Sequence, residues 1–137
     1  MKVIDGSEHI MGRLATHVAK QLLDGEDVVV VNAERIVITG KKESILEDYN
    51  HRRDLGKTRK GPFYPRMPDR IFRRTVRGMV PYQQPRGRTA YKRLRVYVGV
   101  PKELEKEATI QVDNALDKGA LRKMYLGDLS KLLGAKF

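Results

Sequence analysis

The sequence contains no cysteine and no tryptophan. Without thiols, disulfide staples and thiolate-held metals are excluded. The longest apolar run, Val28–Val31, is far too short to cross a bilayer. The opening stretch MKVIDGSEHI carries Asp5 and Glu8 and no apolar segment, so no secretory leader is expected and the location is expected to be cytosolic or nuclear. His9, His17 and His51 stand at no spacing that suits a metal ligand set. Acidic residues are scarce in one region only. Residues 51–95 hold two acids, Asp54 and Asp69, against 15 Lys/Arg, a net of +13. The other 92 residues hold 13 Lys/Arg against 15 acids, a net of −2.

The whole excess of +11 therefore sits in one segment. Like charges so concentrated repel unless an external anion neutralises them, which points to a polyanionic partner. Arginine predominates over lysine there, and its planar fork binds phosphate oxygens in pairs and stacks on bases. Tyr64, Tyr82 and Tyr91 interleave the charges and could stack unpaired bases, whereas Phe63 reads as local packing. Five of the six prolines also lie in 51–95, so backbone freedom is already reduced.

The flanking chain reads as an ordinary α/β scaffold of one domain, 1–137, with the basic segment inserted within it. KVID at 2–5 suggests a strand. Ile10, Leu14, Val18 and Leu22 recur every four residues and predict a helix over 9–24, with Ser7 as its cap. DVVVVNA at 27–33 predicts a strand buried on both faces, which completes a βαβ unit. RIVIT at 35–39 suggests a further strand, and 42–53 a helix. Residues 54–68 have no periodicity and read as an extended loop, expected to order only on its partner. A short helix capped by Asp69 is predicted over 70–77, an elbow over 80–87, and one or two helical turns over 88–93. Alternating Leu94, Val96, Val98 and Val100 predict a strand ended by Pro101. Residues 103–118 are ambiguous, and 128–133 suggest a small helix.

Motifs for catalysis fail on spacing. TGKKES at 39–44 follows a strand, but Arg35 stands where a phosphate-binding loop needs its first glycine, and no Ser or Thr directly follows Lys41. DGSEHIMG at 5–12 lacks the dinucleotide-binding glycine spacing. Asp5 is better placed to accept backbone N–H groups at a turn than to act as a catalytic carboxylate. A small nucleotide-binding α/β enzyme thus remains a reading by architecture alone. The basic segment lacks zinc ligands, a helix-turn-helix pair and a basic zipper. Prolines and glycines among arginines suit an irregular RNA surface better than a regular groove. No amphipathic helix sets large apolar residues opposite lysines, so membrane binding is not expected. If about ten of these charges meet phosphate, log K should fall against log salt with a slope of about −7 to −9.

Arg77-Gly78-Met79-Val80-Pro81, Gly87-Arg88, Leu94, Val96-Tyr97 and Gly99 resemble the diagnostic segment of a universal large-subunit ribosomal protein family, number thirteen of that subunit. Gly12-Arg13-Leu14-Ala15, Val31-Asn32-Ala33-Glu34 and Thr39-Gly40 resemble its other marks, in the right order over residues 3–101. The archaeal or eukaryotic-type branch is the nearer one. The resemblance implies a three-layer α/β/α domain around a four-stranded, mostly parallel sheet with a long basic loop extension. It implies a structural constituent of the large ribosomal subunit that binds large-subunit rRNA and supports assembly beside neighbouring ribosomal proteins. It implies no catalysis, cofactor, metal or small-molecule substrate. Carried over by motif, the RNA-facing residues are Arg13, Lys41, Lys42 and the arginines around Gly78 and Gly87: Arg73, Arg74, Arg77, Arg86, Arg88 and Arg93. Charge and loop character extend the set to Arg52, Arg53, Lys57, Arg59, Lys60, Tyr64 and Arg66, and Lys92 and Tyr82 complete it by charge and ring. An RNA-binding regulator outside the ribosome would use chemically similar contacts.

Overall fold

A computed structural model describes residues 1–137. Four consecutive buried valines make β2 (Val28–Val31), the centre of a parallel sheet. β1 (Lys2–Asp5) and β4 (Leu94–Val96) flank it, with Val3 opposite Val29 and Val30 opposite Val96. β3 (Val37–Thr39) does not join this sheet. It pairs antiparallel with β5 (Lys123–Tyr125), Ile38 opposite Met124. The expected four-stranded sheet is therefore three parallel strands and a separate pair. The physical reason lies at the end of β2, where Asn32 adopts φ +56 and opens a 3₁₀ turn at Ala33–Arg35 that carries the chain away. β4 is also shorter than its alternation predicts. Tyr97 still donates to the Val30 carbonyl at 2.9 Å, but Gly99 turns to φ +68 and gives its N–H to the Glu34 carboxylate at 2.8 Å.

Alternation along the strands sorts the sheet into two unequal faces. Ile4, Val28, Val30, Leu94 and Val96 enter the main core of 25 buried residues, as do side chains of α1 (Met11–Leu23), α2 (Lys42–Asp54), α3 (Pro68–Arg77), α4 (Pro85–Lys92) and α5 (Leu126–Leu132). The other face buries only Val3, Val29 and Val31, and Tyr97 and Leu104 pack over them. In place of the implied second helical layer, that cover comes from the chain after β4.

α1 begins later than its periodicity predicts, and Ser7 does not cap it. His9 and Ile10 are drawn out of the helix by partners distant in sequence. The His9 carbonyl accepts from Val37 N–H at 2.8 Å, and Ile10 N–H donates to Ala115 at 2.7 Å. The His9 ring is wholly buried, with Nδ1 2.9 Å from the Ser7 carbonyl and Nε2 3.0 Å from the Val112 N–H. A carbonyl only accepts and an amide N–H only donates, so the tautomer protonated on Nδ1 satisfies both. His9 thereby staples the 110–117 stretch, ambiguous in sequence, to the first turn. Asp5 does what its position suggested: its carboxylate accepts from Ser7 N–H at 3.0 Å and from the Asn32 amide at 3.1 Å.

The basic segment is not an arm held clear of the body. α3 drives Ile71, Phe72 and Val76 fully into the core, and burying a side chain such as Phe72 stabilises by about 1.5–3 kcal/mol. Pro68 opens α3 and Asp69 sits in its first turn, where an acid favours the helix dipole, but Met67 rather than Asp69 holds the cap position. Pro85 likewise opens α4 three residues before the turns predicted at 88–93. Within 54–68 the tip closes on itself: Lys57 and Gly61 exchange backbone hydrogen bonds of 3.1 and 2.8 Å. The expected extended loop is thus a short braced turn with connecting chain on either side.

Candidate nucleic-acid interface

With Ile71, Phe72 and Val76 turned inward, helical geometry leaves Arg70, Arg73, Arg74 and Arg77 on the remaining arc of α3. Two of them rest on aromatic rings supplied by the elbow and by α4. The Arg77 guanidinium lies 4.2 Å from the centre of the Tyr82 ring, and Arg73 lies 4.8 Å from that of Tyr91. The two tyrosines meet edge to face at 5.5 Å. A stack on a ring positions a guanidinium without cancelling its charge. Held this way, the fork loses less side-chain entropy when it takes an anion.

Carboxylates do not neutralise this row. Of the cations in 51–95, Arg52 alone pairs with an acid, Asp48 at 3.3 Å. Had Arg73–Arg93 lain against the chain's own acids, the polyanion reading would have failed.

α4 reaches the elbow through a glycine. A Cβ on Gly87 would overlap the Pro81 carbonyl and come to 2.9 Å from the Tyr82 nitrogen. Only hydrogen fits, and this contact sets Tyr82 under Arg77. On α4, Arg88 and Lys92 are exposed and four residues apart, hence on one face. Arg86 is exposed too, its Nε donating to the Gln84 side chain at 3.0 Å. Arg13 is exposed on α1, one turn before Thr16, whose hydroxyl touches the Met79 sulfur at 3.6 Å. Arg13 therefore stands beside the α3–α4 elbow.

Other expected residues lie apart from this row. Lys57, Arg59 and Lys60 are exposed at the braced turn, and Arg66 is exposed further along. Lys41 and Lys42 open α2, where cations oppose the helix dipole unless an external anion is present. They share a separate groove of about 500 Å³ with Arg122 and Lys123. Arg122 was not singled out in the sequence, because only the β3–β5 pairing brings it there. Lys123 is held by Asp117 at 2.8 Å.

Four expected contacts have internal work. Arg53 donates to the Leu133 carbonyl at 2.8 Å, just past α5, and Arg93 to the Leu22 carbonyl at 3.1 Å in the last turn of α1. Both satisfy helix C-terminal carbonyls that lack partners in the helix. Tyr64 packs edgewise on Tyr49 at 5.9 Å and accepts from Arg52 at 3.2 Å. Tyr82 is committed to Tyr91 and Arg77. Both tyrosines are half-buried and engaged by neighbouring rings and guanidinium groups. Phe63, read from sequence as packing, is instead 73% exposed. Burial pushes the Tyr49 hydroxyl up to about 12, with Tyr64 adding to the rise.

A profile of the family described as Ribosomal protein L13 matches residues 1–103. The chain belongs to the ribosomal protein L13 family. The "Large ribosomal subunit protein uL13" of Methanosphaera stadtmanae is 51% identical to it over 139 residues, covering 98% of each chain. That of Archaeoglobus fulgidus is 50% identical over 135 residues, 96% of this chain and 86% of the other. That of Methanococcoides burtonii is 49% identical over 139 residues and the full length of both. These archaeal relatives agree with the branch that the sequence motifs indicated. They also align through the tail beyond residue 103, where the motifs gave out. The L13 family is structural and non-enzymatic.

Proposed function

We propose that this L13-family chain is a structural constituent of the large ribosomal subunit in the cytoplasm. It binds large-subunit rRNA there, supports subunit assembly and abuts neighbouring ribosomal proteins. The observation that carries this reading is the uncompensated arginine row of α3 and the elbow, stacked on Tyr82 and Tyr91 and free of carboxylates. Arg73, Arg74 and Arg77 grip one stretch of phosphate backbone, and Arg86, Arg88 and Lys92 grip the next. Arg13 extends the row on α1. Lys41 and Lys42 form a second phosphate contact, and Lys57, Arg59, Lys60 and Arg66 a third. Arg53 and Arg93 act indirectly by holding helix ends. One core drawing side chains from Ile4 to Leu133 supports reading 1–137 as a single domain.

Sedimentation of tagged chain through a sucrose gradient tests the assignment. Co-migration with large subunits is the expected result. Binding to purified large-subunit rRNA should weaken with salt at a log–log slope of about −7 to −9. A chain that stays at the top of the gradient, or a slope near zero, refutes the proposal.

A further inference from the structure

The turn at 57–61 and the exposed ring that follows it have no part in the arginine row. Pro62 and Phe63, just past that turn, form one wall of an open groove of about 500 Å³ between the ends of α2 and α3. Arg52, Leu55, Phe63, Tyr64 and Arg74 line it. Phe63 leaves most of its ring in water, which forgoes the gain from burying it. Exposed Leu55 and Pro62 extend Phe63 into an apolar patch beside the uncompensated Arg74, and such a patch marks a contact surface.

The loop holds that ring in place. Gly56 and Gly61 take φ +84 and +77, a region that disfavours side chains. A Cβ on Gly61 would come within 3.0 Å of the Phe63 ring, so the ring lies directly over a residue that must be glycine. Across the groove, Arg52 is held 4.8 Å over Tyr49 and bonded to Tyr64 at 3.2 Å. Arg74 is exposed and meets no carboxylate. The groove thus offers an open aromatic face with a free guanidinium on one side and a braced one on the other.

We propose that this groove receives a single unpaired RNA nucleotide, its base stacked on Phe63 and its phosphate held by Arg74. Arg52, itself paired with Asp48 at 3.3 Å, forms the second, fixed wall. A base inside a duplex has both faces covered and cannot stack on the ring, so the occupant is an extruded nucleotide. The inference rests on the RNA-binding reading and deepens it. The row binds backbone, and where Arg74 at its edge meets this groove the bound phosphate is that of a flipped-out base.

The test uses the full chain and two RNA hairpins closed by the same self-stacked tetraloop, one with a fully paired stem and one with a single bulged adenosine in it. The parent should bind the bulged hairpin about ten-fold more tightly, in line with the usual strength of base–aromatic stacking. Phe63→Ala should remove that preference while leaving affinity for the paired hairpin and its salt slope unchanged. The ring is exposed, so this variant should keep the parent's melting temperature. Phe63→Trp should keep the preference and, as the chain has no other tryptophan, report stacking directly. Its fluorescence should be quenched by the bulged hairpin and not by the paired one. Equal quenching by both, a preference that survives Phe63→Ala, or no preference in the parent would overturn the proposal. So would half-quenching by micromolar adenosine monophosphate, which would make the groove a free-nucleotide site. In each of those cases salt-dependent binding to both hairpins would leave the ribosomal reading standing. Its absence would strike that reading instead.

Discussion

Two glycines nine residues apart in the basic segment should respond in opposite ways to the same substitution. At Gly87, alanine places its Cβ in overlap with the Pro81 carbonyl oxygen and carbon. The obstacle is backbone, which cannot swing aside as a flexible side chain does. Overpacking where side chains can yield costs about 1–3 kcal/mol, and a backbone clash belongs at the upper end, about 3 kcal/mol. In a domain of this size that lowers the melting temperature by roughly 10 °C. At Gly78 the backbone is helical, φ −68 and ψ −15, and an added Cβ meets only the Thr75 carbonyl at an ordinary 3.6 Å. There alanine restricts the unfolded chain without strain and should stabilise by about 0.4–1 kcal/mol. Urea unfolding followed by circular dichroism measures both. RNA binding at a temperature where both variants are folded adds a second readout. Gly87→Ala should also weaken binding, because opening the Pro81 contact displaces Tyr82 from beneath Arg77. A Gly87→Ala chain that melts within about 2 °C of the parent, or a Gly78→Ala chain destabilised as much, would refute the steric argument.

Replacing His9 by alanine strands the buried Val112 N–H and Ser7 carbonyl and leaves a void, so chemical denaturation should show a loss of about 3–5 kcal/mol. Burial alone would raise the pKa of Asp5, but the Ser7 N–H and the Asn32 amide outweigh it and hold it below 3.8. A depressed folded pKa stabilises fully above the unfolded value, about 3.9 for Asp. That contribution is lost as pH falls through the folded pKa. The stability gap between the parent and Asp5→Asn should therefore close on acidification below about pH 4, and a pH-independent gap would contradict the assignment. Arg77→Ala should make the salt slope of RNA binding shallower by about one, whereas Arg77→Lys should keep the slope and lose affinity with the planar fork. Trypsin should cut the free chain first at Lys57, Arg59 or Lys60 and be blocked there by rRNA; equal cutting with and without RNA would place the turn outside the interface.

Local and compositional features could be read from the chain directly. Four valines in a row point to a buried central strand, because β-branched side chains favour the pleated backbone and alternate to both faces, each of which must then be covered. The charge imbalance of 51–95 is a property of composition, and it survives folding because too few acids lie nearby to cancel it. The spacing of Ile71, Phe72 and Val76 identified α3 and therefore which arginines face outward. What failed was whatever depends on partners far away in sequence. β3 left the parallel sheet for a three-residue strand, Lys123–Tyr125, that hydropathy does not mark. The start of α1 was set by Ala115 and Val37, which claim the backbone of residues 9 and 10. The roles within the basic segment were decided in the same way. By charge alone Arg53 and Arg77 are equivalent cations, and by hydropathy Phe63 is more easily hidden than Tyr64. Folding sets Arg53 against the end of α5 and Arg77 over Tyr82, buries much of Tyr64 on Tyr49, and leaves Phe63 in water. The sequence alone determined that a polyanion must be met and which segment meets it, because charge adds up without regard to contacts. Only the tertiary structure decided which side chains are free to meet it, because each is consumed or released by neighbours that the chain order does not reveal.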